Sequence, residues 1–344
     1  MATITLPKID LGTVFTGSSS GRVVKAKGQT IELQPDEVAI DIAYSGICGS
    51  DLHFLDKEIV LGHEGVGIIS EIGCMVRNVK VGDRVGWGCN HASCNYCDAC
   101  LQGNDHQCPE RRLHGLSDSH FGSLGDKAII NSYFVHVIPD NIKLADAGPL
   151  QCGGATVYGA LYNAAIRSSD RVGIIGIGGL GHLAIQYAAK MGCEVVVFSS
   201  TDSKKQQALE LGATEFVATK ENPGFENVKQ IDALVVTTSA QPDWKQYISV
   251  MKPRGKIIPL SFSGEDFKAP YLLLLMNEIK IVNSIVANRY VHREMLRFSA
   301  THGIRPMIEV LPMNEESINE AMDRLKKGDV RYRFVLKSER TDAE

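Results

Sequence analysis

Three features are scarce in this chain of 344 residues, and each scarcity closes off a class of function. An excess of one charge sign is missing. The 36 Lys and Arg residues stand against 40 Asp and Glu, for a net charge of −4. That balance offers no basic surface to a nucleic acid. Long apolar runs are missing too. The longest, Tyr271–Met276, reads as a short core segment, whereas a membrane span needs about 20 apolar residues. The opening MATITLPKID lacks the charged-then-apolar layout of an export signal. What remains is an ordinary globular composition, 44% apolar and 22% charged. The length exceeds one ordinary core and predicts two domains.

Cysteine is present in an odd number, nine, and four of the nine crowd into 94–108. Without an export signal, this pattern favours metal over disulfides and a reducing, cytosolic compartment. Cys94, Cys97, Cys100 and Cys108 form C-x2-C-x2-C-x7-C. Two-residue gaps let successive thiolates turn onto one tetrahedral ion, and the longer gap closes the loop. Iron–sulfur clusters use similar spacings, so spacing alone leaves zinc and a cluster both open. Cys89 and His91 read as bystanders to this shell, and Cys74 and Cys193 as small core residues.

The stretch from Gly46 to Glu64, GICGSDLHFLDKEIVLGHE, concentrates chemistry. It holds a thiol (Cys48), a hydroxyl (Ser50), two imidazoles (His53, His63) and two carboxylates (Asp51, Glu64). A thiolate, an imidazole and one further ligand make a zinc site with an open fourth position, which is what a catalytic metal needs. Around it, short alternating runs between glycines predict strands at Glu37–Ala43, Gly65–Ile72 and Asp126–Ile130, and a small irregular barrel. Val38, Ile40 and Ile42 alternate as in a half-buried strand. TGSSSG at 16–21 reads as a flexible turn without function.

From Arg171 the pattern changes. An apolar strand, Val172–Ile175, runs into Gly176-Ile177-Gly178-Gly179-Leu180-Gly181. A helix over Leu180–Met191 and a second strand, Glu194–Phe198, follow. Strand, glycine turn, helix and strand in sequence predict a dinucleotide fold. The glycines permit a tight turn and let a pyrophosphate reach the helix N-terminus. A helical piece at Ala208–Leu211 and strands at Ala233–Thr237, Lys256–Leu260 and Ile279–Ser284 extend a parallel doubly wound sheet. The second strand ends in Ser199-Ser200-Thr201-Asp202-Ser203-Lys204, with no carboxylate at its tip for a ribose 2′-hydroxyl. Hydroxyls and a lysine suit a 2′-phosphate, and equally a capped helix start. The tail predicts a helix at Arg293–Thr301, another at Glu315–Lys327 ending at Gly328, and a closing strand at Val330–Leu336. His292 and His302 read as exposed.

GICGSDLH, GHEGVG, GDRVGWG at 82–88 and SCNYCDACLQGNDHQC together resemble the zinc-dependent medium-chain alcohol dehydrogenases, closest to the cinnamyl-alcohol-dehydrogenase-like branch, over nearly the whole chain. The resemblance implies an α/β architecture in three stretches. Residues 1–152 are a chaperonin-10-like (GroES-like), β-rich catalytic domain. Residues 153–288 are a Rossmann domain with a doubly wound parallel sheet, and 289–344 return to the first. It implies two zinc ions per chain: a structural one on the four clustered cysteines, and a catalytic one on Cys48, His63 and Cys152, which Glu64 approaches during ligand exchange. Asp51 would orient His63, Ser50 would bond the substrate oxygen, and His53 would pass its proton outward. Thr156 would touch the nicotinamide.

The serine-and-lysine pattern at Ser199, Ser200, Thr201 and Lys204 resembles the NADP-using branch. The expected protein is therefore a zinc-dependent NADP(H) alcohol dehydrogenase or aldehyde reductase, a homodimer acting on a small aromatic or allylic molecule. An NAD-dependent polyol dehydrogenase, a C=C or C=N reductase on the same fold, and a nucleotide-binding non-enzyme are the alternatives. Two departures stand out. Ala287-Asn288-Arg289 replaces a small-residue stretch, which weakens any cofactor contact carried over to it. Only Phe54–Gly62 separates His53 from His63, where the family has a longer pocket-wall loop. Either the loop is truly deleted, which would open the pocket mouth, or a mobile piece is missing from the chain as read.

Overall fold

A computed structural model describes residues 6–261 and 264–340. They fall into two compact units. The first takes the chain up to Cys152, Asn288–Ala300 and everything from Pro306; the second takes Gly153–Ala287 and Thr301–Arg305.

The first unit is organised on β1 (Glu37–Gly46), β2 (Gly65–Ile72), β3 (Arg84–Trp87), β4 (Lys127–Asn131) and β5 (His136–Val137), followed by helix α1 (Leu144–Pro149). β1 is buried on both faces, not one as its alternation predicted. Val38, Ile40 and Ile42 join the main core with Trp87, Leu124 and Phe334. Ala39 joins a smaller cluster with Leu11, Leu33 and Ile129. A second layer from the N-terminal segment therefore covers the face that the sequence assigned to water. Gly46 N–H donates to the Glu64 carbonyl (3.0 Å), so the end of β1 and the start of β2 lie side by side. That one pairing brings the Cys48 turn and His63 together.

The second unit starts with α2 (Ala155–Asn163) and alternates: β6 (Arg171–Ile175), α3 (Gly181–Lys190), β7 (Glu194–Ser199), β8 (Glu215–Ala218), β9 (Ile231–Val236), β10 (Met251–Pro259), α4 (Tyr271–Met276) and β11 (Lys280–Ile281). The sheet order is β8-β7-β6-β9-β10-β11, all parallel. The order reverses at β6, whose carboxyl end carries the glycine turn, so the ligand crevice belongs there. The expected strand Ile279–Ser284 contracts to Lys280–Ile281 at the sheet edge, and Tyr271–Met276, expected in the core, forms α4 with no buried residue.

The tail supplies α5 (Arg289–His302), β12 (Ile308–Pro312), α6 (Glu315–Lys326) and β13 (Arg333–Lys337). Gly328 takes φ +69°, the left-handed value a glycine cap supplies. β13 runs antiparallel to β1 at Tyr44–Gly46 and completes a sheet of order β5-β3-β2-β1-β13-β12, with β4 also on β1. α5 begins four residues earlier than predicted, and His292, Met295, Leu296 and Ser299 form its buried stripe. His292 is thus buried, not exposed; His302 is exposed. Cys74 is exposed and not a core residue. No helix among the described residues is long and apolar enough to cross a membrane.

The described chain is continuous through Phe54–Gly62. This loop is held down. Val60 N–H donates to Ser119 O (2.8 Å), Leu61 N–H to Phe15 O (2.9 Å), and His114 Nε2 donates to Val60 O (2.9 Å).

Candidate active site and metal centres

Cys48 leaves β1 and caps a single 3-10 turn, Gly49–Phe54. Asp51 closes that turn on itself: its carboxylate accepts the Cys48 backbone N–H (2.9 Å) and the His63 Nδ1–H (2.9 Å). One buried carboxylate thereby sets both the turn and the imidazole tautomer, leaving His63 Nε2 as a lone pair. The donor atoms of Cys48, His63, Glu64 and Cys152 all lie within 4.8 Å of one another. The Cys48 and Cys152 sulfurs are 3.9 Å apart, far beyond a disulfide. Two thiolates on one tetrahedral zinc, each at about 2.3 Å, stand roughly 3.8 Å apart, so the donor set fits that ion. Ser50 Oγ sits at its edge, 3.2 Å from Cys48 Sγ and 3.3 Å from His63 Nε2.

The electrostatics agree with a cation site. The hydrogen bond from Cys152 holds the Cys48 thiol well below its usual range, against the effect of burial. Burial pulls His63 downward, but the Asp51 carboxylate outweighs it and the imidazole is raised. Burial pushes Glu64 up to about 7, opposed by Arg333. Glu64 is fully buried; one oxygen pairs with the Arg333 guanidinium and the other, Oε2, has no hydrogen-bond partner. Arg333 is the functional neighbour that sequence reading missed. It sits on β13, and its only signal was an arginine directly before the apolar run Phe334, Val335 and Leu336.

Cys94, Cys97, Cys100 and Cys108 converge in a second cluster within the same 4.8 Å limit. Its sulfur separations include 3.9 Å for Cys94–Cys100 and 3.5 Å for Cys94–Cys108, again fitting four thiolates on one ion. Burial raises Cys94, but backbone N–H groups of Tyr96 and Cys97 outweigh it and bring the thiol down to about 7. His91 stays outside this shell: it donates from Nε2 to Asp118 (3.0 Å) and stacks on Phe121. Cys89 belongs beside the other cluster. Burial raises its thiol, which also feels the charges of His63 and Cys48.

In the second unit, Gly176 takes φ +90°, and a Cβ on Gly181 would come within 2.1 Å of the Gly176 carbonyl. Gly178 faces open space. With Gly179 and Leu180, these residues form the tight turn into α3. β7 ends at Ser199, Ser200 and Thr201 are exposed, and Lys204 Nζ donates to Ile177 O (2.9 Å). The ammonium therefore folds back over the glycine turn. Thr156 lies in the first turn of α2 and is half-buried. His53 is exposed at the end of the Cys48 turn, on the same short element as Ser50.

Comparison with known proteins places these features. The alcohol dehydrogenase GroES-like domain matches residues 34–140, and the zinc-binding dehydrogenase family matches 179–301. A probable formaldehyde dehydrogenase, AdhA, of Bacillus subtilis (strain 168) is 36% identical over 336 residues, covering 93% of this chain and 96% of the relative. A cinnamyl alcohol dehydrogenase of Sorghum bicolor (SbCAD4) superposes with a TM-score of 0.88 at 29% identity, covering 94% of this chain and 97% of its own. The CAD of Helicobacter pylori, solved in complex with NADP(H), gives a TM-score of 0.85 at 26% identity, over 96% and 99%. A GroES-like unit with a thiolate–imidazole cluster and a glycine-turn parallel sheet define a class, the zinc-type alcohol dehydrogenases. The chain belongs to their medium-chain family, in the cinnamyl-alcohol-dehydrogenase-like branch.

Proposed function

We propose that the protein is an NADP(H)-dependent alcohol dehydrogenase or aldehyde reductase for aromatic or allylic substrates, with two zinc ions per chain. The observation that carries this reading is the cluster of Cys48, His63 and Cys152, three strong ligands with the Ser50 hydroxyl at the open side. Zinc bound there supplies Lewis acidity to the substrate oxygen, and the nicotinamide supplies or accepts the hydride. Ser50 donates to that oxygen as charge develops on it. His53, exposed and three residues on, takes the proton onward to solvent. Asp51 keeps His63 in its ligating tautomer. Glu64 offers its unpartnered oxygen when a ligand exchanges. The four cysteines at 94–108 hold the structural ion.

The strand tip supports NADP. Ser199 stands where a carboxylate would repel a 2′-phosphate, and the Lys204 ammonium lies over the glycine turn. The Helicobacter pylori relative solved with NADP(H) points the same way. A homodimer is part of the proposal. β11 is the open edge of its sheet, and Tyr271, Leu272, Leu275, Met276, Ile281 and Ile285 are exposed beside it. All nine cysteines are free, which supports a reducing, cytosolic compartment. Steady-state kinetics on cinnamaldehyde-type, allylic and aliphatic aldehydes with NADPH and NADH test the reading. Turnover that is faster with NADH, or confined to polyols, would replace it.

A further inference from the structure

Cys152 is carried by an unusual piece of backbone. It lies in a π-helical turn, Leu150–Gly154, directly after α1, whose last residue is Pro149. Proline donates no backbone hydrogen bond, and a π-turn widens the helical ladder, so the regular scaffold around this ligand is thin. Gln151, the residue before the ligand, supplies what the backbone does not. It is 1% exposed, and its amide is committed at both ends. Nε2 donates to Ala147 O (2.9 Å), and Oε1 lies 3.0 Å from His292 Nε2. Since Oε1 only accepts, His292 must carry its proton on Nε2.

Other elements converge on the same amide. His292 comes from α5, and its ring stacks on His136 of β5 with centroids 3.9 Å apart and planes at 20°. That stack fixes the ring plane, and with it the direction of the Nε2–H. Two glycines near the end of β3 make the room. A Cβ at Gly86 would stand 2.5 Å from Gln151 Cδ, and one at Gly88 would stand 2.7 Å from the Gln151 carbonyl. The three polar side chains are 1–5% exposed, in a position where an apolar filler would need no partner.

We propose that His292 is a positioning residue which, oriented by His136 and acting through Gln151, fixes the Cys152 sulfur against Cys48 and His63. The proposal rests on the reading of Cys48, His63 and Cys152 as a zinc site. Removing the His292 donor leaves Gln151 Oε1 buried and unpaired; the amide then turns and the ligand-bearing turn shifts with it. Groups that orient metal ligands in this way change metal affinity or activity by roughly 10–100-fold when lost.

The test uses the zinc-loaded enzyme and its cobalt-substituted form in the variants H292A, H292Q and H292N. Gln places its amide nitrogen at the reach of Nε2; Asn places its own at the reach of Nδ1. Zinc release to a chromophoric chelator and the thiolate-to-cobalt absorption band are recorded. H292A and H292N should release one zinc at least about tenfold faster and shift the cobalt band, while H292Q stays near wild type. The ion on the four clustered cysteines should be unaffected and serves as an internal control. If H292A does not fold, the contrast between H292Q and H292N carries the decision. Equal release rates and bands for those two would overturn the proposal, even if both melt earlier. A Cys48→Ser variant that holds as much zinc as wild type would instead overturn the zinc-site reading beneath it.

Discussion

Arg333 and Glu64 stand 269 residues apart in the chain and form a buried ion pair beside the cluster of Cys48, His63 and Cys152. Both are nearly or fully enclosed, at 6% and 0% side-chain exposure. The pair fastens the closing strand to the start of β2. Its main consequence is that the Glu64 carboxylate is compensated by a guanidinium and not left alone against the Cys48 thiolate.

Arg333→Met removes that compensation and leaves a buried carboxylate. Breaking a buried pair from one side destabilises by about 3–5 kcal/mol. Chemical denaturation should show a loss of that order, and kcat should fall as Glu64 loses its anchor. Arg333→Lys keeps the charge but not the planar fork, and should recover only part of the loss. Wild-type stability in Arg333→Met would mean that the pair is idle.

Cofactor choice is tested at the tip of β7. Ser199→Asp places a carboxylate where the proposed 2′-phosphate is held. kcat/KM with NADPH should fall at least about tenfold while NADH is tolerated or improved, because like charges repel and a ribose hydroxyl now has an acceptor. Unchanged preference in this variant would place the 2′-phosphate elsewhere.

Acid sensitivity follows from the stacked imidazoles. Burial, with the charge of Arg293 behind it, holds His292 down to about 3; burial and the charges of His292, Arg293 and Arg289 hold His136 well below its usual range. Both are neutral in the native state and protonate near pH 6.5 once unfolded. The unfolded chain therefore binds more protons as pH falls from about 6.5 towards 3, and stability is lost over that window. Each group contributes about 1 kcal/mol of loss between pH 7 and 5.5. The melting temperature of wild type should drop more steeply over this interval than that of His136→Leu. Parallel pH dependences would show that His136 does not titrate on unfolding.

What the sequence disclosed and what it withheld have a common physical reason. The four clustered cysteines, the Cys48–Glu64 stretch and the glycine turn were legible because each function is packed into a short run with a fixed spacing. Arg333, Gln151 and His292 were not, because each acts on a partner that only the sheet and α5 bring near. His292 reads as exposed from the sequence for a related reason: the helix pattern there begins at Arg293, whereas the helix starts at Arg289 and takes His292 into its buried stripe. β1 was misjudged as half-buried because a second layer, supplied by other segments, cannot be inferred from the strand's own alternation.

The motif GICG offers the last prediction, since its two glycines have opposite surroundings. A Cβ at Gly46 would come 2.0 Å from Glu64 Oε2, in the core and at the junction of β1 and β2. A Cβ at Gly49 would meet nothing within 4 Å. Neither residue has a positive φ, so backbone freedom does not separate them and space alone does. Gly46→Ala must push the Glu64 carboxylate against Arg333 or towards the sulfurs, and overpacking of this kind costs about 1–3 kcal/mol. Its zinc content and kcat should fall together with its melting temperature. Gly49→Ala should fold and hold zinc as wild type does. If Gly46→Ala kept full zinc and full turnover, the tight seat of Glu64 would not matter to the site. Loss of zinc in Gly49→Ala would show that the Cys48 turn needs a glycine for a reason other than space.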